Sequence, residues 1–419
     1  MGDLTKRTAV DKIRLMSVAE SHDERVTRLQ RTLQTMADVD GWLFYDFRHS
    51  DPLAYRILLL DPERHVTRRW YYWVPAKGDP VKLVHRIEPR ALDPLPGEVR
   101  QYVSWESLQQ ELRRLLTGAH LVAMQYSPMN AIPYVSRVDA GTIDLIRSFG
   151  VRVITSADLV QNFEAVWTEE QLVSHQVAAE ILRRVVDETF RDVAEALTAG
   201  RPLTERTLQQ FMLGRFQVHG VMTATPPIVA VNAHSADPHY APTPERSSPI
   251  EQGDLVLIDL WAKQPHHPAA VYADITWTGF VGKTVPARQE EVFQAVRQAR
   301  DAAVDFVRER AQSGNLPCGW EVDDVCRGVI REAGYGDQFV HRTGHSIGEE
   351  VHGNGANIDN LETQDGRRLL PHTCFSIEPG IYLTGEFGIR SELDVYVAER
   401  DAVVFGQPVQ TAIVPMLDL

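Results

Sequence analysis

The sequence predicts two domains: an α/β domain over residues 1–163 and, over 164–419, an α+β domain made of two similar halves related by an internal pseudo-twofold. Helical and strand-like patterns alternate up to about residue 160, as in a compact α/β unit. Thr168-Glu169-Glu170-Gln171 is then a capping-box signature that opens a far longer helical pattern. From there, two helices followed by strands occur twice in series. At 419 residues the chain exceeds what a single hydrophobic core holds, in keeping with two domains.

In the first domain Val26, Leu29, Leu33 and Met36 recur at helical spacing and lead into the strand-like Trp42–Tyr45. The aromatic run 70–74, the turn-former Gly78-Asp79-Pro80 and the run 81–85 read as a β-hairpin. Leu108, Leu112 and Leu115 mark a helix ahead of a strand over 121–124. In the second domain Leu172, Leu182, Val185, Val193 and Leu197 share one face of the long helix, which Gly200 and Pro202 end. A helix from near Thr204 carries Leu208, Phe211 and Met212, and strands follow over 227–232, 254–261 and 273–282. The order repeats with helices over 287–311 and 322–333 and strands over 375–383 and 394–399.

Fifty-seven acidic against 43 basic side chains give a formal charge of −14, so the chain has no electrostatic footprint for nucleic acid or for an anionic membrane. Cys318, Cys326 and Cys374 include no Cys-x-x-Cys pair, which argues against a disulfide framework or a zinc knuckle. The N-terminal segment lacks an apolar signal region, and no run of about 18 apolar residues occurs. The expectation is a cytoplasmic protein.

Four acids stand in or beside apolar, β-rich segments: Asp259 in 254–261, Asp274 in 273–282, Glu378 in 375–383, and Glu392 just before 394–399. A lone acid in such a place is more often one half of a buried ion pair. Four in one domain would raise one another's pKa unless a strong countercharge stood among them. Divalent cations supply that countercharge. The segment His341–Gly353 adds His341, His345 and His352, with Gly344 permitting a close backbone approach, and an upstream segment adds His234 and His239.

The ordered set Asp, Asp, His, Glu, Glu, with a His-x-x-Gly-His, a Glu-Pro-Gly-Ile-Tyr and a Gly-Ile-Arg-x-Glu segment, resembles the pita-bread metallopeptidases over residues 168–410. The branch it is most similar to contains prolidase and Xaa-Pro aminopeptidase. The resemblance implies a pita-bread C-terminal domain behind a creatinase-like N-terminal domain. It also implies two divalent ions (Mn, Zn, Co or Fe), a short proline-containing peptide as substrate, and a homodimer. Asp259 would chelate one ion, His345 and Glu378 the other, and Asp274 and Glu392 would bridge them, so that four carboxylates nearly balance the cations. An ion-held hydroxide would attack the scissile amide, with Glu378 moving its proton and His352 and His239 around the substrate carbonyl. His341 matches a further pocket histidine, and Arg390 would orient carboxylates.

Three departures from the pattern bear on the pocket. Fifteen positions separate Asp259 from Asp274, more than in most members, so the insertion around 263–270 should lengthen a hairpin turn and bring His266 and His267 to its tip. Leu260-Trp261 stands where a small residue and a glycine usually follow the first aspartate, and Trp277 replaces an arginine, which should weaken support for the carboxylates. A one-metal site, a metal-free creatinase-like hydrolase and a non-catalytic pita-bread binding module are the alternatives, the last two disfavoured by the full ligand set. Dipeptidase, aminopeptidase and carboxypeptidase trimming are not separated.

Overall fold

The structure is a computed structural model that describes residues 20–419 other than 266 and 268. The expectations for the extreme N-terminus and for His266 therefore lie outside the described residues. The chain divides into two compact units, one ending at Gln125 and taking in Arg137–Ile154, the other formed by Tyr126–Ser136 and Thr155–Leu419.

The first unit runs α1 (His22–Gln34), β1 (Gly41–Asp46), α2 (Pro52–Ile57), β2 (Trp70–Pro75), β3 (Val81–His85), β4 (Glu98–Tyr102), α3 (Trp105–Leu115), β5 (Leu121–Met124), α4 (Ala140–Arg147) and β6 (Arg152–Thr155). Its mixed sheet has the order β4-β3-β2-β1-β5-β6. The expected hairpin is β2–β3, antiparallel with Tyr72 opposite Lys82, and Gly78 takes its turn at φ 105°, a region closed to most side chains. β1 is buried along its whole length, and Val26, Leu29 and Leu33 present the apolar face of α1.

Asp51 caps α2 through Oδ1, which accepts from the Ala54 N–H at 3.1 Å, while buried Oδ2 has no partner. Burial first, and the charge of nearby Asp46 after the opposing Ala54 bond, push its carboxyl up to about 7. The folded state thus binds a proton that the unfolded chain releases near pH 4, and this contribution to stability is lost as pH rises toward 7. Asp51→Asn, which imitates the protonated acid, should raise the thermal midpoint of this unit by several degrees at pH 8 and leave it unchanged below pH 4. Equal shifts at both pH values would contradict this.

In the second unit α5 (Ala157–Glu164) precedes α6 (Glu169–Thr198), α7 (Glu205–His219), β7 (Ile228–Val231), β8 (Leu255–Ala262) and β9 (Ala273–Phe280). There follow α8 (Ala287–Gln312), α9 (Gly319–Glu332), β10 (Ser346–Ile347), β11 (Cys374–Ile377), β12 (Gly380–Leu383), β13 (Phe387–Arg390), β14 (Leu393–Ala398), β15 (Asp401–Val404) and β16 (Val414–Pro415). The expected repetition of helix–helix–strand halves is present in element order. α6 begins at the predicted capping box, with Thr168 accepting from the Gln171 N–H at 3.2 Å.

One sheet, β16-β9-β8-β7, shares a core with α6 and α7; the other, β10-β11-β14-β15, shares one with α8 and α9. No helix of the described residues is long and apolar enough to cross a membrane. The expectation of one strand over 375–383 needs correction. Pro379 has no N–H to give a ladder and its φ is fixed. The chain breaks there, β11 pairing with β14 while β12 forms a separate hairpin with β13. Glu378 thereby sits just past the end of β11, its N–H donating to the Thr343 carbonyl at 2.8 Å.

Candidate metal centre

β8 and β9 pair from Leu255–Phe280 to Ala262–Ala273, with Asp259 opposite Thr276 and Trp261 opposite Asp274. Alternation along each strand puts these four side chains on one face. Ile258, Leu260, Ile275 and Trp277 take the other face and enter the core with α6 and α7. The replacement at 277 is therefore read differently from the sequence alone. Trp277 faces the helices, with the Arg183 guanidinium 3.9 Å from its ring centroid, and plays no part among the carboxylates. The insertion does lie in the turn beyond the last β8–β9 pair, and exposed His267 accepts from the Ala269 N–H at 3.2 Å within it.

The two sheets meet at β9 and β14. The Asp274 N–H donates to Asp394 Oδ2 at 2.8 Å, and Thr276 Oγ1 donates to Glu392 Oε2 at 2.7 Å. A third strut brings in His345. A Cβ on Gly344 would lie 1.8 Å from the Ser376 carbonyl oxygen, so only glycine lets the loop approach β11 here. His345 Nδ1 lies 3.2 Å from the Ser346 carbonyl and so carries the proton, leaving the Nε2 lone pair aimed inward. Nε2 lies 3.7 Å from Asp274 Oδ2 and 3.5 Å from Glu378 Oε1.

Donor atoms of Asp274, His345 and Glu392, all buried, lie within 4.8 Å of one another. Asp259 and Glu378 border them and share the guanidinium of Arg390. Arg390 Nη2 bonds Asp259 Oδ2, and its Nε lies 3.9 Å from Glu378 Oε2 and donates to Thr276 Oγ1 at 3.1 Å. Burial, then mutual repulsion led by Glu392, holds the Asp274 carboxyl well above the usual range. Burial also raises Glu392 and Asp259 and pushes Glu378 up to about 7, while it holds His345 well below an ordinary imidazole. Asp259 Oδ1 and Asp274 Oδ1 are buried without a hydrogen-bond partner. Crowded carboxylates, two orphaned oxygens and a bare imidazole nitrogen form a donor set that fits divalent transition-metal ions.

These five residues line a cavity of about 690 Å³ together with His239, His341, His352 and Arg342. The His352 ring stands edge-on to His345 at 4.2 Å between centroids, and partial burial with Arg342 and His239 nearby lowers its pKa. His239 is exposed at the rim. Both nitrogens of His341 are engaged: Nδ1 donates to the Arg342 carbonyl at 2.7 Å, and Nε2 accepts from Tyr382 Oη at 2.7 Å. Tyr382 Oη in turn accepts from Arg390 Nη1 at 3.1 Å, so a chain of bonds runs from His341 to the arginine that holds Asp259. Burial pushes the His341 pKa down to about 3, keeping it neutral. His234 lies apart from these, bonded to buried Glu205 at 2.9 Å and stacked on Tyr240.

Sequence reading missed Thr276, Tyr382, Arg342 and Asp394. Asp394 carried a usable signal, being an acid at the head of the apolar run 394–399 and two positions from Glu392. It is buried with Oδ1 unpartnered, and burial holds its carboxyl well above the usual range.

A two-unit fold with this acid- and imidazole-lined cleft defines a metal-dependent hydrolase of the pita-bread class. The chain belongs to metallopeptidase family M24, whose sequence pattern matches residues 174–399. It is 27% identical over 349 residues to the "Probable dipeptidase PepE" of Mycobacterium tuberculosis, covering 82% of this chain and 85% of that one. It is 31% identical over 246 residues to the Xaa-Pro dipeptidase of Pyrococcus furiosus, covering 58% of this chain and 64% of that enzyme. Among solved structures, dipeptidase PepE from Mycobacterium ulcerans shares the fold with a TM-score of 0.68 at 24% identity, covering 94% of this chain and 98% of that one.

Proposed function

We propose that this enzyme hydrolyses Xaa-Pro bonds in dipeptides or short peptides, using two divalent ions held by Asp259, Asp274, His345, Glu378 and Glu392. The observation that carries this is the convergence of Asp274, His345 and Glu392, with orphaned oxygens on Asp259 and Asp274, at the floor of a cavity sized for a short peptide. The names of the Xaa-Pro dipeptidase and dipeptidase relatives point the same way. When bound, the cations supply Lewis acidity, polarising a carbonyl and bringing a water's pKa down to about 7.

The chain's own groups do the rest. Glu378 takes the proton of the attacking water and delivers it to the leaving nitrogen, which in proline has no N–H and leaves poorly unless protonated. His352 and His239 donate to the carbonyl oxygen as charge develops on it. His341 works through Tyr382 and Arg390 to position Asp259, and so serves as a positioning residue. The Arg342 guanidinium pairs with no carboxylate among the described residues and offers a seat for the substrate's own carboxylate. The metals are Mn, Zn, Co or Fe, and the working form is a cytoplasmic homodimer; the three unpaired thiols suit a reducing compartment.

A panel of Xaa-Pro, Xaa-Pro-Yaa and Xaa-Ala peptides assayed with each metal tests the proposal. Cleavage confined to bonds preceding proline supports it, and equal turnover of Xaa-Ala removes the proline requirement. His352→Ala should keep its metal content while turnover falls about 10²–10³-fold, as when one preorganised donor is lost. Loss of metal from that variant would make His352 a ligand instead.

A further inference from the structure

We propose that Trp261 sets the size of the substrate residue on the N-terminal side of the scissile bond, so that the site favours Gly, Ala or Ser there over bulky side chains. This rests on the peptidase function proposed above. Trp261 lies directly opposite Asp274 across β8 and β9, and two residues beyond Asp259, so its side chain leaves the sheet on the same face as both carboxylates. Directly opposed strand residues have Cβ atoms about 4.5–5.5 Å apart, so the indole begins beside the carboxylate cluster and lines the same cavity.

The ring is held in place. Its Nε1 donates to Thr225 Oγ1 at 3.2 Å, and it packs against the buried cluster that includes Val271, Tyr272 and Ile347. A half-buried indole fixed by both packing and a hydrogen bond is a rigid wall. In the pattern this sequence resembles, a glycine holds the position, so the indole occupies room that is otherwise open.

Charge decides which part of the substrate meets this wall. Asp259 and Asp274 flank the indole and, as ligands, would have their charge taken up by the cations, so it is the scissile carbonyl that is drawn to this end of the cavity. The peptide's carboxylate is drawn to Arg342, the cavity-lining cation without a carboxylate partner among the described residues. The residue across the scissile bond from that carboxylate therefore lies against Trp261. A hydrophobic pocket discriminates by about 10–200-fold per methylene, so a wall of this size separates Ala from Phe readily.

The test compares kcat/KM for Ala-Pro and Phe-Pro in wild type, Trp261→Ala and Trp261→Leu. Wild type should prefer Ala-Pro by more than about 10-fold, and Trp261→Ala should bring the two within about threefold. Trp261→Leu should fall between, and it keeps apolar packing should the alanine variant fail to fold. Calorimetric Kd values for reduced-bond analogues of the two peptides should follow the same order without turnover. An unchanged ratio in the folded variants, or a wild-type ratio near one, overturns the role of Trp261. A wild type that cleaves neither peptide, nor Ala-Ala and Phe-Ala, fails the peptidase function instead, and the Kd ratio alone then decides on Trp261.

Discussion

Asp274→Ala should reduce turnover to background and abolish metal retention together, while leaving the metal-free chain as stable as wild type or more so. Asp274 sits in the middle of the acid cluster, with Glu392, Asp259, Asp394 and Glu378 all raising its carboxyl's pKa in addition to burial. Deleting it from the metal-free protein relieves repulsion, so nothing is lost there except a strained carboxylate. Deleting it from the loaded protein removes the acid proposed to join the two ions. Because an ion that binds only the folded state raises the melting temperature, wild type should gain stability on addition of metal and Asp274→Ala should gain none. Near-wild-type turnover in the purified variant, or an undiminished thermal response to metal, would place the centre elsewhere.

Glu378→Gln, compared with wild type at equal metal content because the amide also replaces a proposed ligand, should lower kcat by about 10²–10⁴-fold, the range for removal of a positioned general acid–base. The amide keeps the shape and the contact with Ser376 Oγ, which lies 3.3 Å from Oε1, but it can neither take nor return a proton. Folding should be intact, since the amide keeps the shape of the side chain and leaves its neighbours, the Ser376 hydroxyl, the edge of Arg390 and His345 Nε2 at 3.5 Å, in place. KM should change far less than kcat, because the lost interaction is made in the transition state. A variant that loses KM and keeps kcat would make Glu378 a binding group and leave the proton transfer to another residue.

Much of this was legible in the sequence because its signals are local. The Thr168 capping box, the strand runs over 254–261 and 273–282, and the hairpin turn at Gly78 each act over a few residues. Acids inside apolar runs were legible for a different reason: an unsatisfied charge there costs several kcal/mol, so such a residue implies a partner even when the partner is unseen. The same rule holds for Asp394, which is buried with one carboxylate oxygen unpartnered.

What stayed hidden depends on contacts between distant positions. The Arg390–Asp259 pair joins residues 131 apart, and hydroxyls such as Thr276 and Tyr382 look the same in a strand whether they serve a site or not. Gly388 in the short strand β13 is required by the approach of the Ser235 carbonyl, whose oxygen lies 2.0 Å from where a Cβ would stand, and nothing nearby in the chain announces it. Pro379 was a local signal with a plain consequence: it ends β11 and turns an expected nine-residue strand into parts of two separate sheets.

The most direct test of metal-dependent peptide hydrolysis is to strip the wild-type chain with a chelator and reload it stepwise. Bound metal per chain and Ala-Pro turnover are then measured on the same samples. Turnover should be absent from the stripped protein and rise with loading to a plateau at two divalent ions per chain. Full turnover by protein that retains no metal would contradict a metal-dependent mechanism, and a plateau at one ion would contradict the paired centre.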